Sequence, residues 1–247
     1  MKAAAYAATS NIFPDMITSA KSLVMHSSVD VIYFVVDKLK FPEKLPDYIE
    51  CIDVSDQKLF PPTCPNIYKL WSWMVLMRAT YADLFPDLDK ILSLDCDTIV
   101  DQNVDDLWDL DLDGYFLAAV EEPDKTKKNG SLYVNIGVTM FNLDMIRKNR
   151  MNEKFIRALN FKKFKWAEQD CMNELCRGHI LKMPSEYNCT NYTIPCKHNA
   201  KIDNDHSVLC ESPKIIHFAN EKDRTERPIY LKYRDIPWEE IRKPCVI

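Results

Sequence analysis

Glycine is scarce in this 247-residue chain, which carries only Gly114, Gly130, Gly137 and Gly178. No glycine-rich turn can wrap a phosphate, so neither a dinucleotide-binding fingerprint nor a Walker loop can be assembled. Long apolar runs are also missing. The longest candidates, Val31 to Val36 and Ile91 to Leu94, fall far short of the ~20 residues that span a bilayer, so a soluble protein with no transmembrane segment is expected. A basic surplus is lacking: the net charge of -5 argues against a nucleic-acid partner, which would call for cations to release phosphate counterions. No cysteine pair has CxxC spacing and no histidine has zinc-finger spacing. The nine cysteines, an odd number, are read as reduced thiols in a cytosol. Met1 to Ala8 superficially resembles a leader, but polar Thr9-Ser10-Asn11 cuts it short, and it reads better as a first strand. Three Asn-x-Ser/Thr acceptor patterns, beginning at Asn129, Asn188 and Asn191, carry no weight without such a leader.

With 47% hydrophobic content the chain can bury one substantial core, and short apolar runs alternate with amphipathic stretches. Ala3 to Ala8, Val31 to Val36, Ile49 to Val54, Lys90 to Leu94, Phe116 to Val120, Val134 to Asn142 and Lys214 to Phe218 read as strands. The pattern predicts an α/β fold with a largely buried sheet. Pro14 and Asp15 suit the first turn of a helix, and Met16, Ile17, Ala20, Leu23 and Val24 continue it at helical spacing. A second helix is expected over Leu70 to Phe85. Proline clusters at 42–46 and 61–65 mark surface loops, and the polar stretch from Thr190 to Ser212 reads as an excursion near the end of the fold.

The informative segment runs from Lys90 to Val100, a buried strand ending in Asp95-Cys96-Asp97. Residues two apart on a strand share a face, so both carboxylates aim at one spot beyond the sheet's carboxyl end, where open α/β sheets bind ligands. Two such acids repel unless a cation or a shared proton relieves them, and Mn²⁺ or Mg²⁺ held together with substrate phosphates fits the oxygen donors. An exposed turn is the bland reading of the same residues. A phosphatase strand is the rival one, disfavoured because Thr98 follows Asp97 directly and the motif lies mid-chain.

From about Ala4 to Tyr230 the sequence resembles glycosyltransferase family 8, the retaining group that includes glycogenin and bacterial lipopolysaccharide galactosyl- and glucosyltransferases. The resemblance rests on ordered motifs. It implies a GT-A fold: a Rossmann-like nucleotide-binding mixed sheet flanked by helices. The expected arrangement is a single domain over 1–247, with a nucleotide-binding half to about 110, a sugar and acceptor half over about 111–230, and a tail over 231–247. Ala8, Thr9, Asn11 and Phe13 resemble the nucleoside-binding turn, although the frequent Asp-Asp-x-Tyr version is absent. Arg78 resembles a donor-binding cation, with a solvated helix charge as its alternative. Asp95-Cys96-Asp97 matches the metal motif, Cys96 lying at the nucleotide, and His217 at the end of Lys214 to Phe218 matches the third metal ligand.

The family's Lys-Pro-Trp is interrupted here, which leaves Lys222 as the first choice for the diphosphate contact and Arg227 as the other. Glu121, Asn135, Gly137 and Asp170 match the donor-sugar contacts. Gln169 or Glu168, in Glu168-Gln169-Asp170, would lie beside the anomeric carbon; a helix N-terminus with acids placed for the dipole is the structural alternative. The resemblance implies metal-dependent transfer of glucose or galactose from a UDP-sugar to a glycan, lipid-linked or polysaccharide acceptor. Both front-face attack and a covalent intermediate stay open. It further implies a bacterial protein, in the cytoplasm or at the inner face of the membrane. A non-catalytic nucleotide-sugar binding protein is the main alternative, a phosphatase-like hydrolase the lesser one.

Overall fold

The computed structural model describes residues 1–67, 72–190, 212–219 and 223–241. Ten strands occur among them: β1 (Ala3–Ala8), β2 (Val31–Val36), β3 (Ile49–Asp53), β4 (Lys90–Leu94), β5 (Thr98–Val100), β6 (Leu117–Glu121), β7 (Val134–Asn142), β8 (Ile180–Met183), β9 (Cys189–Thr190) and β10 (Ile215–His217). The helices are α1 (Phe13–Met25), α2 (Tyr81–Leu84), α3 (Pro123–Asn129), α4 (Leu143–Lys148), α5 (Met151–Phe161), α6 (Ala167–Leu175) and α7 (Pro228–Arg234).

Seven strands form one sheet in the order β3-β2-β1-β4-β7-β6-β8, and a small sheet runs β5-β10-β9. In the large sheet the β1, β2, β3 and β4 pairings are parallel, whereas β7 is antiparallel to both β4 and β6. The carboxyl ends of β1, β4 and β6 therefore share an edge with the start of β7. That edge is where the motif-bearing residues gather.

The sheet is buried on both faces, as its apolar runs require. Ala3 and Ala5 of β1 pack with Met74, Met77, Tyr81 and the α4 to α6 side, while Ala4, Tyr6 and Ala8 pack with α1. Strand alternation divides one run between two cores. Each large side chain withdrawn from water, such as Phe34 or Leu92, contributes about 1.5–3 kcal/mol.

One expectation changes. The helix over Leu70 to Phe85 is a 3-10 helix at Trp73–Thr80 followed by α2, and Leu70 and Trp71 lie outside the described residues. Ser72 Oγ accepts from the Met74 amide at 3.2 Å, and Thr80 Oγ1 donates to the Met77 carbonyl at 2.7 Å. These local bonds favour a tight winding. The excursion over Thr190 to Ser212 lies almost wholly outside the described residues. Six cysteines are described, and all are free thiols.

Candidate active site

β4 ends at Leu94, and Asp95 to Asp97 form the turn into β5, so the two acids converge through the turn rather than through strand alternation. Thr98 Oγ1 closes that turn by donating to the Asp95 carbonyl at 2.8 Å, and the Asp95 amide donates to the Gly137 carbonyl at 2.7 Å. β10 pairs with β5 through His217 and Thr98, and the Phe218 amide donates to the Asp97 carbonyl at 2.9 Å. The imidazole is thereby laid against the acidic turn. Its Nε2 lies 3.4 Å from Asp95 Oδ2 and 3.2 Å from Asp97 Oδ1. One ligand atom from each of the three residues falls within 4.8 Å of the others.

These residues fit a hard divalent ion: two carboxylates and an imidazole, crowded but each with a lone pair to offer. Gly137 makes the crowding possible. A Cβ there would stand 2.6 Å from Asp95 Oδ2 and 2.9 Å from His217 Nδ1, closer than real Cβ contacts. Its lack of a side chain therefore serves the ligand cluster. Burial opposes a charge on His217, but Asp97 and Asp95 outweigh it and push the imidazole up to about 10. Without a cation the site carries a proton in its place.

Arg78 is 6% exposed, which removes the solvated-helix alternative. Its Nη2 pairs with Asp95 Oδ1 and its Nη1 with Glu168 Oε1 at 3.1 Å, while Nε is buried without a hydrogen-bond partner among the described residues. Burial raises the Asp95 carboxyl, yet Arg78 and His217 outweigh it and hold the group well below the usual carboxylate range. For Glu168 burial wins against Arg78 and pushes the carboxyl up to about 7.

α6 supplies the opposite wall. Ala167, buried and with φ 40, precedes Glu168 in a left-handed conformation that costs an alanine about 1–3 kcal/mol. Gln169 Nε2 donates to Glu122 Oε1 and to Tyr133 Oη, both at 3.1 Å, and its Oε1 accepts from the Ile136 amide at 3.3 Å. Asn135 Nδ2 donates to the same Glu122 oxygen at 2.9 Å. Asp170 accepts from the Tyr133 hydroxyl and from the Trp166 amide at 2.8 Å, so its carboxylate braces the start of α6.

Glu121, Phe13 and Cys96 make contacts within the protein itself. Glu121 pairs with Lys182 of β8, and Glu122 is the acid joined to Asn135 and Gln169. The β6–β7 register shifts between Ala119 and Val120, an irregularity that no residue pattern announces. Phe13 is 1% exposed and stacks on Phe41 at 4.7 Å, so its ring belongs to the core rather than to a base. Cys96 directs its thiol to the Ala7 carbonyl at 3.8 Å. Lys222 lies outside the described residues; Arg227 stands at the N-terminus of α7, and its neighbour Arg224 holds Asp15 of α1 at 3.1 Å. At the end of β1, Thr9 Oγ1 donates to Asn11 Oδ1 at 2.5 Å, and the Ser10 amide donates to Asp37 at 2.8 Å. Glu122, Tyr133 and Asn188 were not singled out from the sequence. Tyr133 lies two residues before Asn135, and Asn188 appeared only as a glycosylation pattern.

The model of the glycosyl transferase family 8 matches residues 4–222, most of the chain. The chain belongs to glycosyl transferase family 8. Glycosyltransferase GlyA of Streptococcus pneumoniae serotype 4 is 31% identical to this family 8 chain over 179 residues, covering 69% of the chain and 25% of that protein. A lipopolysaccharide 1,2-glucosyltransferase of Escherichia coli K12 is 31% identical over 175 residues, covering 63% and 50%. A putative glycosyltransferase of Haemophilus influenzae is matched over 60% of its length, so the chain spans between a quarter and three fifths of these curated relatives. Among solved structures, galactosyltransferase LgtC in complex with donor and acceptor sugar analogs superposes with a TM-score of 0.71 at 22% identity, covering 96% of this chain and 98% of that one. The family 8 chain has the GT-A fold. No helix among the described residues is long and apolar enough to cross a membrane.

Proposed function

We propose that this family 8 chain is a metal-dependent retaining glycosyltransferase that moves a hexose, glucose or galactose, from a UDP-sugar to an acceptor hydroxyl. The observation that carries this reading is the convergence of Asp95, Asp97 and His217 within 4.8 Å at the sheet edge, opposite Gln169 and Asn135. The first half of the domain, to about residue 110, would hold the nucleotide, and the second half the sugar and acceptor. LgtC, which shares the fold, was solved in complex with donor and acceptor sugar analogs, and this supports a donor and an acceptor site in the chain.

Asp95, Asp97 and His217 would hold Mn²⁺ or Mg²⁺, which when bound supplies positive charge against the diphosphate as the sugar bond breaks. The rest falls to the chain's own groups. Arg78 holds Asp95 in register and has a buried Nε still available as a donor. Gln169 is locked by three hydrogen bonds, so its amide dipole is oriented before substrate arrives and costs no reorganisation during reaction. Asn135 and Glu122 would receive sugar hydroxyls. Glu168, with its carboxyl pushed up to about 7, holds a proton more readily than a surface acid and lowers the negative charge next to the diphosphate. Six free thiols support a reducing compartment, the cytoplasm. The acceptor would be a glycan, polysaccharide or lipid-linked sugar.

The test is UDP release from a panel of UDP-sugars with Mn²⁺, with and without chelator. Metal-dependent release is expected. Binding without turnover would favour a nucleotide-sugar binding protein, and release of phosphate from monoesters alone would favour a phosphatase.

A further inference from the structure

Asn188 lies between the metal corner and the sugar wall, 3% exposed, in the turn that leads into β9. Its Oδ1 faces His217 Nδ1 at 2.8 Å and its Nδ2 faces Asn135 Oδ1 at 2.9 Å. Burial and two side-chain partners leave no room for a glycan on this acceptor pattern.

The orientation of each group follows from a neighbour whose chemistry allows only one role. The Gly137 backbone amide can only donate, and it lies 2.9 Å from Asn135 Oδ1. The other end of Asn135 faces the Glu122 carboxylate, an acceptor, so that end is the NH₂. Asn135 thus presents an oxygen to Asn188, and Asn188 must answer with its NH₂. That turns the Asn188 oxygen toward His217. An oxygen there requires the proton on Nδ1, which leaves Nε2 as the atom aimed at Asp95 and Asp97. β9 runs parallel to β10, with Thr190 opposite His217, and so fixes Asn188 beside the ring.

We propose that Asn188 is a positioning residue: it keeps a proton of His217 on Nδ1, so that Nε2 is the nitrogen that can join Asp95 and Asp97 on a divalent cation. Outer hydrogen bonds of this kind set the tautomer and ring orientation of a metal-binding histidine, and their loss costs ten- to hundredfold in metal affinity. The inference rests on the metal reading above.

Mn²⁺ alone, titrated into the full chain, separates the two ideas when joined to a magnetic resonance measurement of the hydrogen-bonded, slowly exchanging His217 Nδ1 proton in the metal-free protein. Asn188→Leu removes the acceptor at similar volume, and should weaken Mn²⁺ binding about ten- to hundredfold and abolish the ring-proton signal. Asn188→Asp keeps an acceptor facing Nδ1 but sets a second oxygen against Asn135 Oδ1, so it should retain the ring-proton signal and lose less Mn²⁺ affinity than Asn188→Leu. Native-like Mn²⁺ binding by Asn188→Leu, or loss of the ring-proton signal from Asn188→Asp, would overturn the assignment. If the native chain binds no Mn²⁺, the metal reading fails. The ring proton then decides the positioning role, its absence from the native protein being the adverse result.

Discussion

The two walls of the candidate site are built on opposite principles. In the metal corner, Asp95, Asp97, His217 and Arg78 press charged groups together, and His217 is pushed up to about 10 because two acids need a cation. In the sugar wall, Asn135, Asn188, Gln169 and Tyr133 match donors to acceptors around Glu122 with no such excess. The corner holds like charges that a bound cation would relieve, whereas the hydrogen bonds of the wall are complete without a ligand. Disturbing the corner should therefore remove activity or metal, and disturbing the wall should mainly weaken the sugar's hold.

The sharpest way to break this contrast is to remove an acid. Asp97→Ala leaves two groups to hold the cation, and UDP release should fall by about a thousandfold, the several kcal/mol attributable to metal charge. Turnover within tenfold of native would end the metal reading. Gly137→Ala tests the same corner by steric means. The new Cβ would meet Asp95 Oδ2 at 2.6 Å, and overpacking of this kind costs about 1–3 kcal/mol. Mn²⁺ affinity measured by titration should drop up to about a hundredfold. Retained affinity would show that the ligands relax freely.

Acidity sharpens the comparison next. His217 has a folded value near 10 against an ordinary 6.5, so its proton stabilises the metal-free fold fully below pH 6.5. That stability is lost as pH rises through about 10. Melting temperature without metal should fall across that window. Mn²⁺ competes for the same Nε2, so its affinity should climb about tenfold per pH unit between roughly pH 7 and 9, one proton leaving per ion bound. An affinity flat in pH would place the proton elsewhere.

How much of this was legible in the residues differs between the two walls as well. The strands were, because strands buried on both faces are written as apolar runs: β1, β2, β4 and β7 start and stop where Ala3 to Ala8, Val31 to Val36, Lys90 to Leu94 and Val134 to Asn142 do. Asp95, Asp97 and His217 were legible as a set because charged residues at the ends of such runs stand out, and the family motifs order them. The wall was harder to read. Glu121 and Glu122 are indistinguishable by composition, and a register shift between Ala119 and Val120 decides which one faces inward. Arg78 read as either surface or site until its burial was known. Asn188 owes its contacts to β9 and β10 lying side by side, a pairing between segments far apart in sequence.

The smallest expected effect is the one that most directly tests the wall. Glu122 Oε1 accepts from both Asn135 and Gln169, whereas Glu121 pairs with Lys182 at the far side of the same strand end. Glu122→Gln keeps the volume but replaces a charged acceptor by a neutral one. Hydrogen bonds to charged groups contribute about 1.5–3 kcal/mol, so partial loss should raise the donor KM about tenfold with a smaller change in kcat. Glu121→Gln should shift that KM by less than about twofold, as expected for a surface ion pair. If the two variants exchange behaviour, Glu121 turns inward when the donor is bound, and the wall is then shaped by its ligand much as the metal corner is.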